Sequence, residues 1–155
     1  MRIETQMQIK APAGKVWQVV GENFNDIANW ASFVSQSHAN PEVGEGEGRV
    51  CQTDFGPVTE NITAFQPKSR SLSHSIEGSS TPFFMRDVLN HWQIEDAGSG
   101  ASTVTFAISA NVMPPFRQLL SRRLQDRFGR QARGYVRELK HFVETGQPLR
   151  RIPVN

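Results

Sequence analysis

The sequence predicts an α+β fold in which a seven-stranded, curved antiparallel sheet wraps a long C-terminal helix, with two short helices after strand one. Three observations carry that prediction. Six β-type runs after residue 36 are separated by short turn signals, which favour a meander over parallel crossovers. The final third repeats apolar residues at spacings of three and four, the period of a helix. No repeat, linker or change of composition divides the 155 residues, so 1–145 reads as one domain and 146–155 as a tail.

Strand one comes from Ile3, Thr5, Met7 and Ile9, which alternate with polar residues as a half-buried strand does. In "APAGKVWQVVGE", Pro12 suits a helix start and Val16, Trp17, Val19 and Val20 form an apolar side. "NDIANWASF" predicts a second short helix, capped by Asn25 or Asp26, with Ile27, Trp30 and Phe33 or Val34 facing inward. Strands are expected near 36–40, 49–55, 58–65, 71–77, 84–95 and 102–112, punctuated by "GEGEG", "FGP", "PKS", "GSSTP" and "DAGSG". The closing helix begins after Pro114 and Pro115 and stops at Gly146, and Gly129 and Gly134 weaken its middle. Its apolar stripe is Phe116, Leu119, Leu120, Leu124, Phe128, Ala132, Tyr135, Leu139, Phe142 and Val143.

Composition excludes several function classes. The chain is 37% hydrophobic, in the folded range, and holds no apolar run long enough to span a bilayer. "MRIETQMQIK" has no secretory h-region, and one cysteine, Cys51, fits a reducing cytoplasm. The net charge of +2 is unevenly spread: residues 1–113 carry 7 Lys/Arg against 12 Asp/Glu, and residues 114–155 carry 10 against 3. The basic character therefore belongs to the C-terminal segment alone.

One residue breaks the strand pattern. In "PVTENITAF", Glu60 shares its parity with Val58, Ile62 and Ala64, so its carboxylate should face the core side. A charge there is costly unless it is paired or hydrated. The same parity turns His74, Asn90, Trp92 and Phe106 inward, with Arg86 one step earlier near the rim. Polar groups converging among aromatics suit a ligand pocket.

The order of elements resembles the helix-grip fold of the superfamily that holds START lipid-transfer domains and birch-pollen-allergen-like proteins. The chain is most similar to its bacterial polyketide cyclase/dehydrase-like branch. The resemblance rests on "APAGKVW", the "NW" of the second helix, "GEGEGRV", "VTENITAFQP", "LSHSI" and "VTFAIS", in order along nearly the whole chain. It implies a cavity between sheet and helix, and it does not imply one chemistry, since members include carriers, cyclases, lyases and regulators. Glu60 falls on the family's "TE" position. Relatives often carry an Arg after the "GxGxV" turn where this chain has Cys51, which leaves His74 or Arg86 as partners for Glu60.

The expected function is binding of a small hydrophobic ligand, aromatic, polyketide-like or lipid, in that cavity. Trp30, Phe33, Arg86, Asn90, Trp92, Phe106 and Phe128 are the expected ligand-binding residues. If the protein is an enzyme, Glu60 and His74 would act as general acid and base in a cofactor-free cyclisation or dehydration. The alternatives are a non-catalytic lipid or quinone carrier at a membrane surface, and a regulatory partner-binding domain. A structural ion pair competes with the functional reading of Glu60, and a backbone-bonded histidine with that of His74. Core packing competes with a gate role for Trp30 and Phe33. If Glu60 is retained for function alone, Glu60→Gln should fold with a melting temperature near wild type.

His38, His91 and His141 lack metal-ligand spacing, Cys51 lacks a base, and "GEGEGR" lacks the ending of a phosphate loop. No metal or cofactor is expected. For the row Arg117, Arg122, Arg123, Arg127, Arg130, Arg133, Arg137 and Lys140, a solvated face paired with the acidic sheet half ranks first. An anionic membrane surface ranks second, and nucleic acid last for want of a stacking platform. Nothing in the sequence indicates an oligomeric state.

Overall fold

Alternation in the first ten residues becomes strand β1 (Arg2–Ile9), and its partner lies late in the chain. That partner is β7 (Ala101–Val112), antiparallel, with Ile9 opposite Ser102 and Ile3 opposite Ile108. Between them run β2 (Val34–Ala39), β3 (Gly48–Thr53), β4 (Gly56–Gln66), β5 (Ser71–Gly78) and β6 (Met85–Gly98). The sheet order is β1-β7-β6-β5-β4-β3-β2, so the predicted meander closes with the first strand added beside the last. These positions come from a computed structural model that describes residues 1–44, 46–79, 81–119 and 121–149. Glu45 of "GEGEG", Ser80 of "GSSTP", Leu120 of the apolar stripe and tail residues 150–155 lie outside the described residues.

The segment after β1 forms α1 (Ala13–Trp17), widens into a π-helical turn (Gln18–Glu22) and ends in a 3-10 turn (Phe24–Asn29). Gly21 permits this path. A Cβ there would meet the Trp17 ring at 2.6 Å, so only glycine lets the indole fold back over the following turn. The expected caps Asn25 and Asp26 are not used. The 3-10 turn begins at Phe24, with Asn23 at the cap position and no side-chain cap bond.

Past β7 come α2 (Phe116–Leu119) and α3 (Ser121–Thr145), and both weakening glycines, Gly129 and Gly134, lie inside α3. Gly146 ends α3 in the left-handed region (φ 73°), its N–H donating to the Phe142 carbonyl at 2.7 Å. Ala132, Val136, Leu139 and Val143 press against Leu72, Trp92, Ile94, Val104 and Phe106 of the sheet. Leu119 departs from the stripe: it is 76% exposed. At its other end α3 ties down the edge strand. Lys140 Nζ donates to the Gln8 carbonyl at 3.0 Å, and Glu144 accepts the Lys10 N–H at 2.8 Å. Among the described residues no helix is long and apolar enough to cross a membrane.

One irregularity changes what faces inward. The β6–β7 register shifts between Arg86 and Leu89, and Asp87 takes φ 51°. That extra residue is a bulge, which resets side-chain alternation. Met85 and Val88 are therefore both buried although three apart, and Arg86 is exposed.

Leu139 has no exposed surface on the helix face that grips the sheet. Leu139→Ala should lower unfolding free energy by about 2–5 kcal/mol in urea titrations. Arg130→Ala, on the exposed face, should cost less than about 0.5 kcal/mol. Equal effects would mean that α3 is not held against the sheet.

Candidate functional site

The sheet's concave face and α3 enclose a cavity of about 570 Å³. Its walls are apolar: Ile27 and Phe33 from the chain after α1, Val58 and Ile76 from the sheet, and Phe106 and Phe128 among others. That volume falls within the range of small-molecule sites, and its few polar groups are where specificity would reside. Glu60, Asn90, Cys51 and Tyr135 reach the wall, while Phe55, Arg127 and Gln131 on its boundary are exposed.

Glu60 does face inward, and its partner is Arg49. The two stand directly opposite across the β3–β4 ladder, and both are buried. Arg49 Nε donates to Glu60 Oε2, and Arg49 Nη1 donates to the Phe24 carbonyl. The guanidinium also lies over the Phe24 ring, 3.8 Å from its centre. Burial alone would push the Glu60 carboxyl up, but the Arg49 charge, His74 and hydrogen bonds from Arg49 and Cys51 outweigh it and hold it below the usual range. Burial likewise works against the Arg49 charge, and Glu60 prevails there too. The pair is ionised on both sides.

His74 lies behind this pair. It has no exposed surface, does not line the cavity, and its Nδ1 stands 3.7 Å from Glu60 Oε1, beyond hydrogen-bond length. Burial pushes its pKa down to about 4, with Glu60 opposing and Arg49 reinforcing, so the ring is neutral near pH 7. Cys51 Sγ sits 3.9 Å from Glu60 Oε2, and burial pushes its pKa up to about 12, which keeps it a thiol.

Tyr135 of α3 forms the back of the cavity. Its ring stacks on Trp30 at 5.1 Å and meets Trp92, Phe106 and Phe33 edge-on at 5.1, 5.2 and 5.3 Å. Burial raises its pKa, so the phenol keeps its proton. Asn90 is 5% exposed, lines the cavity, and its Oδ1 has no hydrogen-bond partner among the described residues. Buried carbonyl oxygens are rarely left so.

The residues singled out from sequence thus divide. Glu60, Phe33, Asn90, Phe106 and Phe128 are on the cavity wall. Trp30 and Trp92 are buried core behind Tyr135. Arg86 is outside, its Nε 3.3 Å from Met113 Sδ, because the bulge at Asp87 breaks the parity that had turned it inward. The proposed partners for Glu60 are corrected: Arg49 fills that place, two residues before the family's usual position. Sequence reasoning missed Arg49 and Tyr135. Arg49 was within reach, since counting outward from the two-residue turn Asp54-Phe55 puts it opposite Glu60. Among the described residues no group of three or more His, Cys, Asp or Glu is placed to hold a metal ion.

Comparison with known families places this geometry. The family described as polyketide cyclase/dehydrase and lipid transport matches residues 1–144. Comparison with curated proteins finds no significant sequence match. A solved structure of an uncharacterized protein from Bacillus thuringiensis is 20% identical, with a TM-score of 0.73, covering 92% of this chain and 98% of that one. The di-domain ARO/CYC protein BexL gives a TM-score of 0.78 at 16% identity, over 93% of this chain and 46% of its own. A START superfamily protein from Mycobacterium smegmatis gives 0.73 at 10% identity, over 94% and 98%. At these identities the structural likenesses establish the fold.

The Arg49 pairing reverses what the sequence implied for Glu60→Gln, which now leaves a buried guanidinium uncompensated. We expect Arg49→Met or Glu60→Gln alone to cost about 3–5 kcal/mol, and the double replacement Arg49→Met/Glu60→Leu to recover most of it. Two independent small losses in thermal or urea unfolding would refute the pairing. His74 adds a pH dependence. The unfolded chain protonates it below about pH 6.5 and the folded chain only near pH 4, so its stabilisation is present above 6.5 and lost as pH falls. Unfolding free energy should drop by about 3 kcal/mol across that window, and His74→Leu should flatten the slope.

Proposed function

The chain belongs to the polyketide cyclase/dehydrase and lipid transport family, and on that premise we propose that it binds a small hydrophobic ligand in the cavity under α3 as a carrier. The observation that carries this reading is an apolar chamber of about 570 Å³ with a buried, unpartnered acceptor, Asn90 Oδ1, on its wall. With the ionised Glu60 nearby on the same wall, the ligand end that enters should donate hydrogen bonds, as a hydroxyl or phenol does. A carboxylate head is disfavoured there by like charge. An aromatic or polyketide-like ligand with a donor group fits these constraints best.

Acid–base catalysis has less support. A catalytic base works best with a pKa near the working pH. Glu60 is held low by Arg49, and His74 is neutral, sealed and off the wall. A cyclase or dehydrase step remains the second reading because Glu60 and the Tyr135 phenol share the cavity wall, where one could accept and the other donate a proton. The binding unit is the single domain 1–145. The carrier works in the cytoplasm without a cofactor, with the basic side of α3 turned to an anionic membrane surface.

Gly134 offers a direct test, since it lines the cavity and a Cβ there meets nothing within 4 Å. Gly134→Leu should stabilise α3 by about 1 kcal/mol through helix propensity while lowering uptake of an apolar fluorescent probe at least tenfold. Native mass spectrometry of gently purified wild type should show a retained small molecule that Gly134→Leu and Asn90→Leu lose. No retained ligand together with equal probe uptake in all three proteins would overturn the reading. Turnover of a bound polyketide by wild type, abolished by Tyr135→Phe in a protein that still melts as wild type does, would replace it with the enzymatic one.

A further inference from the structure

Next to Phe84, which lines the cavity, the chain exposes large apolar side chains. Phe83 is 75% exposed and Leu119 is 76% exposed. Phe83 packs edge-on to Phe84 and to Phe116 at 5.4 Å each, and Phe84 stacks on Phe116 at 4.9 Å. The cluster joins the chain before β6 to α2, and Phe84 lines the cavity together with Leu124, Arg127 and Phe128. An aromatic patch rimmed by charge marks an interaction surface.

The charge around it is mostly positive, with Asp87 and Asp126 the exposed acidic residues nearest in sequence to its arginines. Arg117, Arg122, Arg123 and Arg127 are exposed along α2 and the start of α3, with Asp126 the one acidic residue between them. Arg86, excluded from the cavity, reaches Met113, whose N–H donates to the Phe84 carbonyl at 2.9 Å. Among the described residues the cations of the ion pairs are Arg2, Arg49 and Lys140, with neutral His74 beside Glu60, so none of these five arginines is paired. The arginines around this patch form a solvated face, as ranked first from sequence, but among the described residues they lack the acidic partners that reading gave them.

We propose that Phe83, Phe84, Phe116 and Leu119 form a tip that inserts into an anionic bilayer, with Arg86, Arg117, Arg122, Arg123 and Arg127 on lipid headgroups, so that the cavity mouth opens onto the membrane. Aromatic and aliphatic side chains beside arginines match the depth profile of an interface, apolar below and anionic above. A second copy of the chain is the poorer occupant, because it would set five unpaired cations against five more. The purpose of the docking, ligand exchange, rests on the carrier reading above, and the docking itself does not.

The test is co-sedimentation with vesicles of phosphatidylcholine alone and of phosphatidylcholine mixed with phosphatidylglycerol. Wild type should bind the anionic vesicles and lose binding as salt rises, as screened charges require. Phe83→Ser/Leu119→Ser should weaken binding at least tenfold, from the loss of buried apolar area. Arg122→Glu/Arg123→Glu should remove its dependence on anionic lipid. All four side chains are outside the core, so melting curves and probe uptake should stay at wild-type values. Absence of vesicle binding, indifference to phosphatidylglycerol, or unchanged binding by the Phe83/Leu119 variant would overturn the proposal. So would a concentration-dependent dimer in ultracentrifugation that this variant abolishes. Vesicle binding by a protein that takes up no probe would leave the tip standing and remove the carrier reading instead.

Discussion

A guanidinium removed from water must have its charge met by something fixed, and in this protein Glu60 meets it. The Arg49–Glu60 pair constrains more than two side chains. It holds β3 and β4 in register, because a slip of one residue would turn one charge out and leave the other buried. Through the Phe24 carbonyl and ring it also fastens the 3-10 turn over that part of the sheet. Burial sets the states of the neighbouring groups against the pull of the pair: His74 stays neutral although Glu60 favours its cation, and Cys51 stays a thiol although Arg49 favours its thiolate.

The same cluster decides what the hollow can do. A carboxylate already committed to a guanidinium accepts hydrogen bonds well and protons poorly. Tyr135, with its phenol protonated, is braced by aromatic rings on several sides and can donate without changing state. Orientation of a ligand suits these groups better than proton transfer through them. That is why a carrier is favoured over a cyclase within a family whose description spans both.

Much of this could be read from the residues. Period-two and period-four patterns set the strand order, the closing helix and the inward face of Glu60, Asn90 and Phe106, because burial of one face imposes those periods directly. The failures are local and have a common cause. Arg86 was placed by counting through Asp87, where the backbone inserts one residue and alternation restarts. Arg49 was passed over because the turn was sought at "FGP" instead of Asp54-Phe55, which hid the residue opposite Glu60. Leu119 satisfies the helical period and still faces outward, because periodicity reports that a residue is apolar and not what covers it. Trp30 and Trp92 fit a ligand wall by type, yet both are buried against the Tyr135 ring and neither lines the cavity.

The bulge at Asp87 has a consequence in the lineage of the fold. Cavity polarity here is set partly by the backbone path of one strand and only partly by its side chains. Deleting the extra residue would restore strict alternation and leave Met85 inside and Arg86 outside, whereas straightening the strand with every residue kept would exchange the two and bring a cation to the chamber wall. A β-branched residue, which disfavours φ 51°, in place of Asp87 would thus favour the straight strand and set Arg86 among the apolar side chains of the wall. Ligand preference in such a scaffold can change abruptly while every core side chain keeps its identity.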